Sequence, residues 1–88
     1  MDVEFRKTFK KDLLKIRDSK LYERIEALIV AIEEAEALSE ISHVTKLKDA
    51  ESYYRVRVGD YRVGFKLDDG VVSLVRVQHR KDIYKNFP

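Results

Sequence analysis

The chain has 88 residues, of which 44% are hydrophobic and 39% are charged, and it contains no cysteine. This length supports one packed core, and the missing thiols exclude disulfide frameworks, thiolate catalysis and zinc sites of the cysteine type. The net charge is +2, and the lack of both an apolar run of membrane-spanning length and an apolar signal region predicts one soluble, cytoplasmic domain over residues 1–88.

The charge is divided unevenly along the chain. Residues 1–20 carry seven Lys and Arg against four Asp and Glu, residues 21–51 carry three against eight, and residues 52–88 carry eight against four. Basic segments at both ends are typical of a protein that binds a polyanion, although a run of charges is more often only a solvent-exposed face. The placement of the basic residues on strands has to decide between these interpretations.

The first part of the chain predicts one strand and two helices. Residues 2–5 alternate polar and apolar side chains, as a half-buried strand does. Residues 6–18 have apolar positions at helical spacing among lysines, which predicts a basic amphipathic helix. A second helix is expected from about residue 20 to residue 38, capped by Asp18 or Ser19, with its acidic side chains in water.

The connection at residues 39–52 lacks periodicity and contains several serine and aspartate residues, so we expect a loop that crosses the fold. Ile41, Val44 and Leu47 would anchor it. His43 has no partner that the sequence identifies, and we interpret it as a surface residue.

A hairpin with a defined register is predicted at residues 53–67. Two alternating segments flank Gly59 and Asp60, and a glycine in the first position is typical of a two-residue type II′ turn. The pairs that follow from this turn are Val58 with Tyr61, Val56 with Val63, Tyr54 with Phe65, Arg57 with Arg62, Arg55 with Gly64, and Tyr53 with Lys66. One face is therefore apolar and packs on the core, and the other presents arginines.

A second hairpin is expected at Asp68, Asp69 and Gly70, with a three-residue loop. In this register Arg76 lies beside Arg62, and the residues that face the core are Val71, Ser73, Val75 and Val77. A two-residue loop would instead bury Arg76 opposite Val63, and the cost of desolvating the guanidinium argues against it.

Five arginines near this face are the strongest indication of function. They are Arg55, Arg57, Arg62, Arg76 and Arg80. Alternating arginines often form only the solvent-exposed face of an antiparallel sheet, with the aliphatic part of each side chain on apolar surface and the guanidinium group in water. Five without interleaved carboxylates favour an anion site, because guanidinium forks match phosphate geometry and Gly64 leaves room for a substrate to approach. A phosphodiester is the expected ligand, and its expected binding residues are Arg55, Arg57, Arg76 and Lys48.

Two further side chains follow the last strand. His79 precedes Arg80, and Tyr84 lies in residues 81–87, where Ile83 and Phe87 are expected to hold a short helix against the sheet. Taken singly, the histidine is more often a surface residue and the tyrosine an anchoring aromatic. Their proximity to the arginines favours a functional role as strongly as a structural one.

The order of one strand, two helices and a three-stranded meander, with YRVRVGDYRVGF at 54–65 and LVRVQHRKDIY at 74–84, resembles the RelE family within the RelE/ParE superfamily of toxins. The resemblance covers nearly the whole chain. It implies an α+β fold like that of microbial RNases, in which an antiparallel sheet of the first strand and the meander packs against two N-terminal helices, with a short C-terminal helix. It also implies cleavage of mRNA in the ribosomal A site, inhibition of translation and a cognate antitoxin encoded alongside, with no cofactor and no membrane partner.

Carried over by position, the resemblance assigns catalytic roles to Arg55, Arg57, Arg62, Arg80 and Tyr84. Well-known members carry lysines on the strand that here holds Arg55 and Arg57, and arginine does not deprotonate in proteins, so another group has to accept a proton. His79 or Glu51 is the candidate base, and the imidazole titrates nearer neutral pH. The expected reaction is attack of a ribose 2′-hydroxyl on the adjacent phosphate, without a metal, which leaves a 2′,3′-cyclic phosphate and a 5′-hydroxyl.

Two alternatives from other classes stay open. A ParE-like toxin has the same fold but inhibits DNA gyrase by binding, without nuclease chemistry. A degenerate module would use the basic face only to bind an acidic antitoxin peptide. His79 and Tyr84 beside the arginines favour the nuclease over the gyrase inhibitor, whereas the sequence alone does not distinguish the binding module.

Overall fold

A five-stranded mixed sheet organises the fold. The computed structural model describes residues 1–48 and 51–88. Its strands are β1 (Asp2–Phe5), β2 (Val44–Lys46), β3 (Tyr53–Val58), β4 (Tyr61–Asp68) and β5 (Val71–His79), in the order β1-β5-β4-β3-β2. β1 is parallel to β5, and the other neighbouring strands are antiparallel. The predicted first strand and meander are confirmed, but the sheet is mixed and includes the additional strand β2.

In the described part of the chain three helices accompany the sheet: α1 (Lys7–Leu14), α2 (Ser19–Glu34) and α3 (Arg80–Asn86), with a 3-10 turn at Leu38–Glu40. The Asp18 carboxylate caps α2 by accepting from the backbone N–H groups of Lys20 and Leu21 at 3.0 and 3.2 Å. α1 ends earlier than expected, because Lys15 and Ile16 donate to carbonyls three positions back and tighten the last turn. None of the helices in the described residues combines the length and apolar composition of a membrane span.

The core lies between the sheet and the helices α1 and α2. Its buried hydrophobic side chains are Phe9, Leu21, Ile25, Ile32, Val56, Val58, Val63, Phe65, Val72, Leu74 and Val77. The β3–β4 register is the one predicted, since Val58 lies opposite Tyr61, and Val56 lies opposite Val63. The alternation of the hairpin therefore buries its valines and turns its arginines to the other face.

The pairing of β4 with β5 differs from the prediction in both turn and register. Asp69 and Gly70 form a two-residue turn with φ of +50° and +76°, and Asp68 pairs with Val71. A β-bulge between Gly64 and Phe65 then shifts the ladder, so that Arg76 lies opposite Gly64 and not opposite Val63. The predicted three-residue loop was wrong because it assumed an unbroken ladder. On β5 the core positions are Val72, Leu74 and Val77, whereas Val71 and Val75 are only partly buried. Ser73 is buried, as predicted, but is not part of the hydrophobic cluster.

Arg76 of β5 is held by a carboxylate of α1. Its Nε and Nη2 donate to the Asp12 carboxylate at 2.8 and 3.0 Å, and the backbone N–H of Val77 donates to the same carboxylate at 3.1 Å. Asp12 is only 5% exposed, so this charge-assisted bidentate pair also satisfies a backbone donor of β5. The predicted position of Arg76 beside Arg62 was wrong, because Gln78 lies opposite Arg62.

The connection that we expected to be a loop contains β2. This strand pairs with β3, with Val44 opposite Val56. The prediction was wrong there because a three-residue strand is too short to show alternation. Positions 49–50 of the predicted loop lie outside the described residues. The consequence for function is that β2 brings His43 to the edge of β3.

Candidate active site

A cleft of about 340 Å³ opens on the side of β3 and β4 that does not face the core. Its lining residues are His43, Val44, Thr45, Arg55, Arg57, Arg62 and Tyr84. Four segments supply them: the start of β2, both strands of the hairpin, and α3. Because the buried valines of the hairpin alternate with its arginines, the sequence pattern itself places three guanidinium groups on this wall.

Arg57 contacts His43 in this cleft. Arg57 Nη2 and His43 Nδ1 are 3.2 Å apart. Because a guanidinium can only donate, Nδ1 accepts, and the neutral ring carries its proton on Nε2. The backbone N–H of Arg57 also donates to the carbonyl of His43 at 3.2 Å. The prediction that His43 lies on the surface is confirmed, since its side chain is exposed, but the sequence did not identify Arg57 as its partner.

Arg62 is directed along the hairpin turn. Its Nη1 donates to the carbonyl oxygens of Gly59 and Tyr61 at 3.0 and 2.9 Å. Arg57 and Arg62 lie directly opposite each other in the ladder, as predicted. Their guanidinium groups are held by different partners, which reduces the repulsion that opposed like charges would otherwise cause.

Tyr84 forms the other wall of the cleft. Its ring centroid is 4.6 Å from Cζ of Arg55, which is a cation–π contact. α3 presents Tyr84 to the cleft because Ile83 and Phe87 are buried, whereas Tyr84 is 55% exposed. An exposed aromatic ring fixed beside a guanidinium group is suited to stack on a base.

Gly64 has a different role from the one we expected. A Cβ at this position would lie 2.8 Å from three ring atoms of Phe87, and the same ring packs edge-on against Tyr53 at a centroid distance of 5.7 Å. Phe87, not a substrate, occupies the space that the glycine leaves. The prediction that Gly64 makes room for a substrate was wrong, and its small size instead lets α3 dock on the arginine face.

A second cleft of about 430 Å³ adjoins the first. Its lining residues are Arg24, His43, Arg57, Gly59, Asp60, Arg62 and Arg80. It shares His43, Arg57 and Arg62 with the first cleft, and we name the combined surface the arginine groove. Asp60 is the single acidic residue among the described residues that line it. The sequence did not identify Arg24, since it reads as one more exposed charge on α2.

The remaining predicted residues lie outside the arginine groove. His79 caps α3, with its Nδ1 accepting from the backbone N–H of Lys81 at 3.2 Å, and its ring packs edge-on against Tyr61. It lines a smaller cleft together with Asp12 and other residues. The groove brings together Arg55, Arg57, Arg62, Arg80 and Tyr84 and does not include His79, Arg76, Lys48 or Glu51.

Comparison with known proteins decides the family. A family model described as the ParE toxin of the type II toxin–antitoxin system parDE matches residues 3–84. Toxin RelE3 of Methanocaldococcus jannaschii is 37% identical over 89 residues, which cover 100% of both proteins. This chain belongs to the RelE family of type II toxins.

Solved structures of relatives have the same fold as this toxin. The RelE of a RelB–RelE antitoxin–toxin complex from Methanococcus jannaschii matches with a TM-score of 0.84 and 35% identity, over 97% of the toxin and 99% of that chain. A chain of the archaeal RelE–RelB complex from Pyrococcus horikoshii matches with a TM-score of 0.74 and 26% identity, over 92% and 96%. The predicted α+β architecture and the predicted family are therefore confirmed.

Proposed function

We propose that this toxin is a ribosome-dependent endoribonuclease that cuts mRNA in the A site and so inhibits translation. The observation that carries the proposal is the convergence of Arg55, Arg57 and Arg62 with Tyr84 on one cleft. A phosphodiester offers the anionic oxygens that guanidinium groups bind, and the nucleobase offers a face on which a tyrosine can stack.

The proposed reaction needs no metal. The ribose 2′-oxygen attacks the adjacent phosphorus, the bond from phosphorus to the 5′-oxygen breaks, and the products are a 2′,3′-cyclic phosphate and a 5′-hydroxyl. Arg57 and Arg62 lie on opposed strands and stabilise the charge that develops on the phosphoryl oxygens. Arg80 and Arg24, in the adjoining part of the groove, bind a neighbouring phosphate of the strand.

We also propose that a cognate antitoxin encoded alongside inhibits the toxin. The related RelE chains from Methanococcus jannaschii and Pyrococcus horikoshii are in complexes with RelB. A groove with five arginines and one aspartate attracts an acidic, partly disordered partner. Occupation of the groove by such a partner would exclude mRNA.

Primer extension on mRNA from cells that express the toxin tests the endoribonuclease function. We expect breaks in codon register, and a loss of about a hundredfold or more with Arg57→Ala or Arg62→Ala, the scale of removing one donor to a developing oxyanion. Arg17→Ala is the matched control, because Arg17 is exposed and does not line the groove. Intact mRNA together with inhibited gyrase supercoiling would overturn the proposal and indicate the ParE-like activity after which the matching family model is named.

A further inference from the structure

Among the described residues that line the arginine groove, His43 has the one imidazole, the side chain that most often serves as a general base near neutral pH. Guanidinium and phenol groups hold their protons in this range, so the arginines and Tyr84 do not serve as the base. Asp60 lines only the adjoining cleft, away from Arg55 and Tyr84. His43 lines both clefts. We propose that His43 accepts the 2′-hydroxyl proton during cleavage, an inference that rests on the endoribonuclease function proposed above.

The contact with Arg57 places the required lone pair in the groove. Nδ1 of His43 lies 3.2 Å from Nη2 of Arg57, so in the free toxin the unprotonated nitrogen faces a group that binds phosphate. An anionic phosphoryl oxygen is a stronger acceptor than a neutral imidazole, and the guanidinium group therefore turns to the substrate when it binds. Nδ1 is then free beside the bound phosphate, within reach of the 2′-hydroxyl next to it.

The backbone holds the ring in this place. His43 has φ of +65°, a left-handed conformation that non-glycine residues adopt rarely and that clusters at functional sites. The residue pair is joined twice, by the side-chain contact and by the backbone hydrogen bond from Arg57 to the His43 carbonyl. The pairing of β2 with β3 thus holds the His43 imidazole beside Arg57.

His43 lines the two clefts of the arginine groove and also a third cleft of about 330 Å³ between α2 and β3. Charged groups face His43 from α2, the 3-10 turn, β3, β4, the hairpin turn and α3. The titratable and charged residues that line these clefts are Arg24, Glu40, Arg55, Arg57, Asp60, Arg62, Arg80 and Tyr84. Five guanidinium groups outnumber two carboxylates around the ring. The contact with Arg57 requires the neutral ring, which is the form that a base needs.

The proton transfer balances with solvent as the only other participant. The 2′-O–H bond breaks and its proton moves to Nδ1, which turns His43 into an imidazolium. The 2′-oxygen forms its bond to phosphorus while the bond to the 5′-oxygen breaks. The departing 5′-oxygen takes a proton from water, and the imidazolium returns its own proton to solvent.

His43→Asn tests this role with little disturbance of the fold. Asparagine tolerates a positive φ, and its amide oxygen can replace Nδ1 as the acceptor for Arg57, but it does not take up a proton near neutral pH. We expect single-turnover cleavage on programmed ribosomes to slow by about a hundredfold or more. The rate should also lose its acid limb, the fall in rate at acidic pH that protonation of a general base causes. Thermal unfolding should remain cooperative.

A substrate with sulfur in place of the bridging 5′-oxygen separates a base from an acid. Sulfur departs without protonation, so it rescues a missing acid and not a missing base. We expect the His43→Asn defect to persist with this substrate, and rescue by sulfur would overturn the proposal. The proposal would also be overturned if His43→Asn kept the wild-type rate and acid limb, or if only His79→Asn showed the defect. In His79→Asn the asparagine still caps α3.

Cleavage by the wild type, Arg57→Ala and His43→Asn distinguishes a wrong base from a wrong function. If the wild-type toxin does not cleave on ribosomes, the endoribonuclease function is lost and this inference with it. If the wild type cleaves, Arg57→Ala does not, and His43→Asn retains activity, then the function stands and only the assignment of the base is wrong.

Discussion

The change Gly64→Ala tests whether α3 must dock on the sheet for the arginine groove to work. A Cβ at Gly64 would lie 2.8 Å from Cγ, Cδ2 and Cε2 of Phe87, whereas carbon atoms pack best at about 3.5–4.0 Å. Phe87 directly follows α3 and is only 6% exposed. The ring can yield only by moving the end of α3, which also carries Tyr84.

Two opposing contributions set the expected loss of stability. Complete exposure of the Phe87 side chain would cost about 1.5–3 kcal/mol. Replacing a glycine inside a strand with alanine recovers about 0.5–1 kcal/mol of that. The free energy of unfolding should therefore fall by about 0.5–2.5 kcal/mol, and cleavage should fall with it because Tyr84 leaves Arg55.

Urea unfolding and primer extension on the same preparations measure both effects. The double variant Gly64→Ala with Phe87→Ala is the control, because it removes the ring that the new methyl group meets. Alanine at position 64 should cost no stability beyond that of Phe87→Ala alone. A Gly64→Ala toxin as stable and as active as wild type, or an equal loss of stability with and without the Phe87 ring, would contradict the expected clash between the new methyl group and Phe87.

Asp12→Ala should lower the free energy of unfolding by about 3–5 kcal/mol in urea titrations, because Arg76 and the Val77 N–H lose their shared acceptor. Adding Arg76→Met should recover part of that loss, and an additive double variant would contradict the pairing. Val63→Asp should prevent cooperative folding, because Val63 is 1% exposed and the charge of the aspartate would be buried without a partner. A thermal transition like that of the wild type would contradict the hairpin register. Association with the antitoxin should slow as salt rises in stopped-flow experiments, and a rate independent of salt would place docking away from the groove.

The hairpin of β3 and β4 could be predicted in full because local rules decide it. A glycine-first turn selects the loop length, and strict alternation then assigns each side chain to a face. The opposition of Arg57 and Arg62 followed from these two facts alone. The predicted placement of Arg55, Arg57 and Arg62 on one face of the hairpin was correct for the same reason, whereas the predicted placement of Arg76 beside them was not.

The errors have their origin in contacts between distant parts of the chain. The desolvation cost of Arg76 was a sound argument, but the fold avoids that cost with a bulge and with Asp12, which lies 64 residues away in sequence. Likewise, His43 meets Arg57 only because β2 pairs with β3, and three residues show no periodicity from which such a strand could be inferred. A single sequence contains no local signal for either contact.

The parallel pairing of β1 with β5 determines when the first strand can fold during synthesis of the chain. Asp2 lies opposite Val71, and Phe5 lies opposite Leu74, so the first strand has no partner until the last one has left the ribosome. Closing so long a loop is entropically costly and makes such pairing a late event in folding. Tyr84 emerges later still. A nascent chain that ends at β4 therefore has neither the partner strand of β1 nor Tyr84 of the groove.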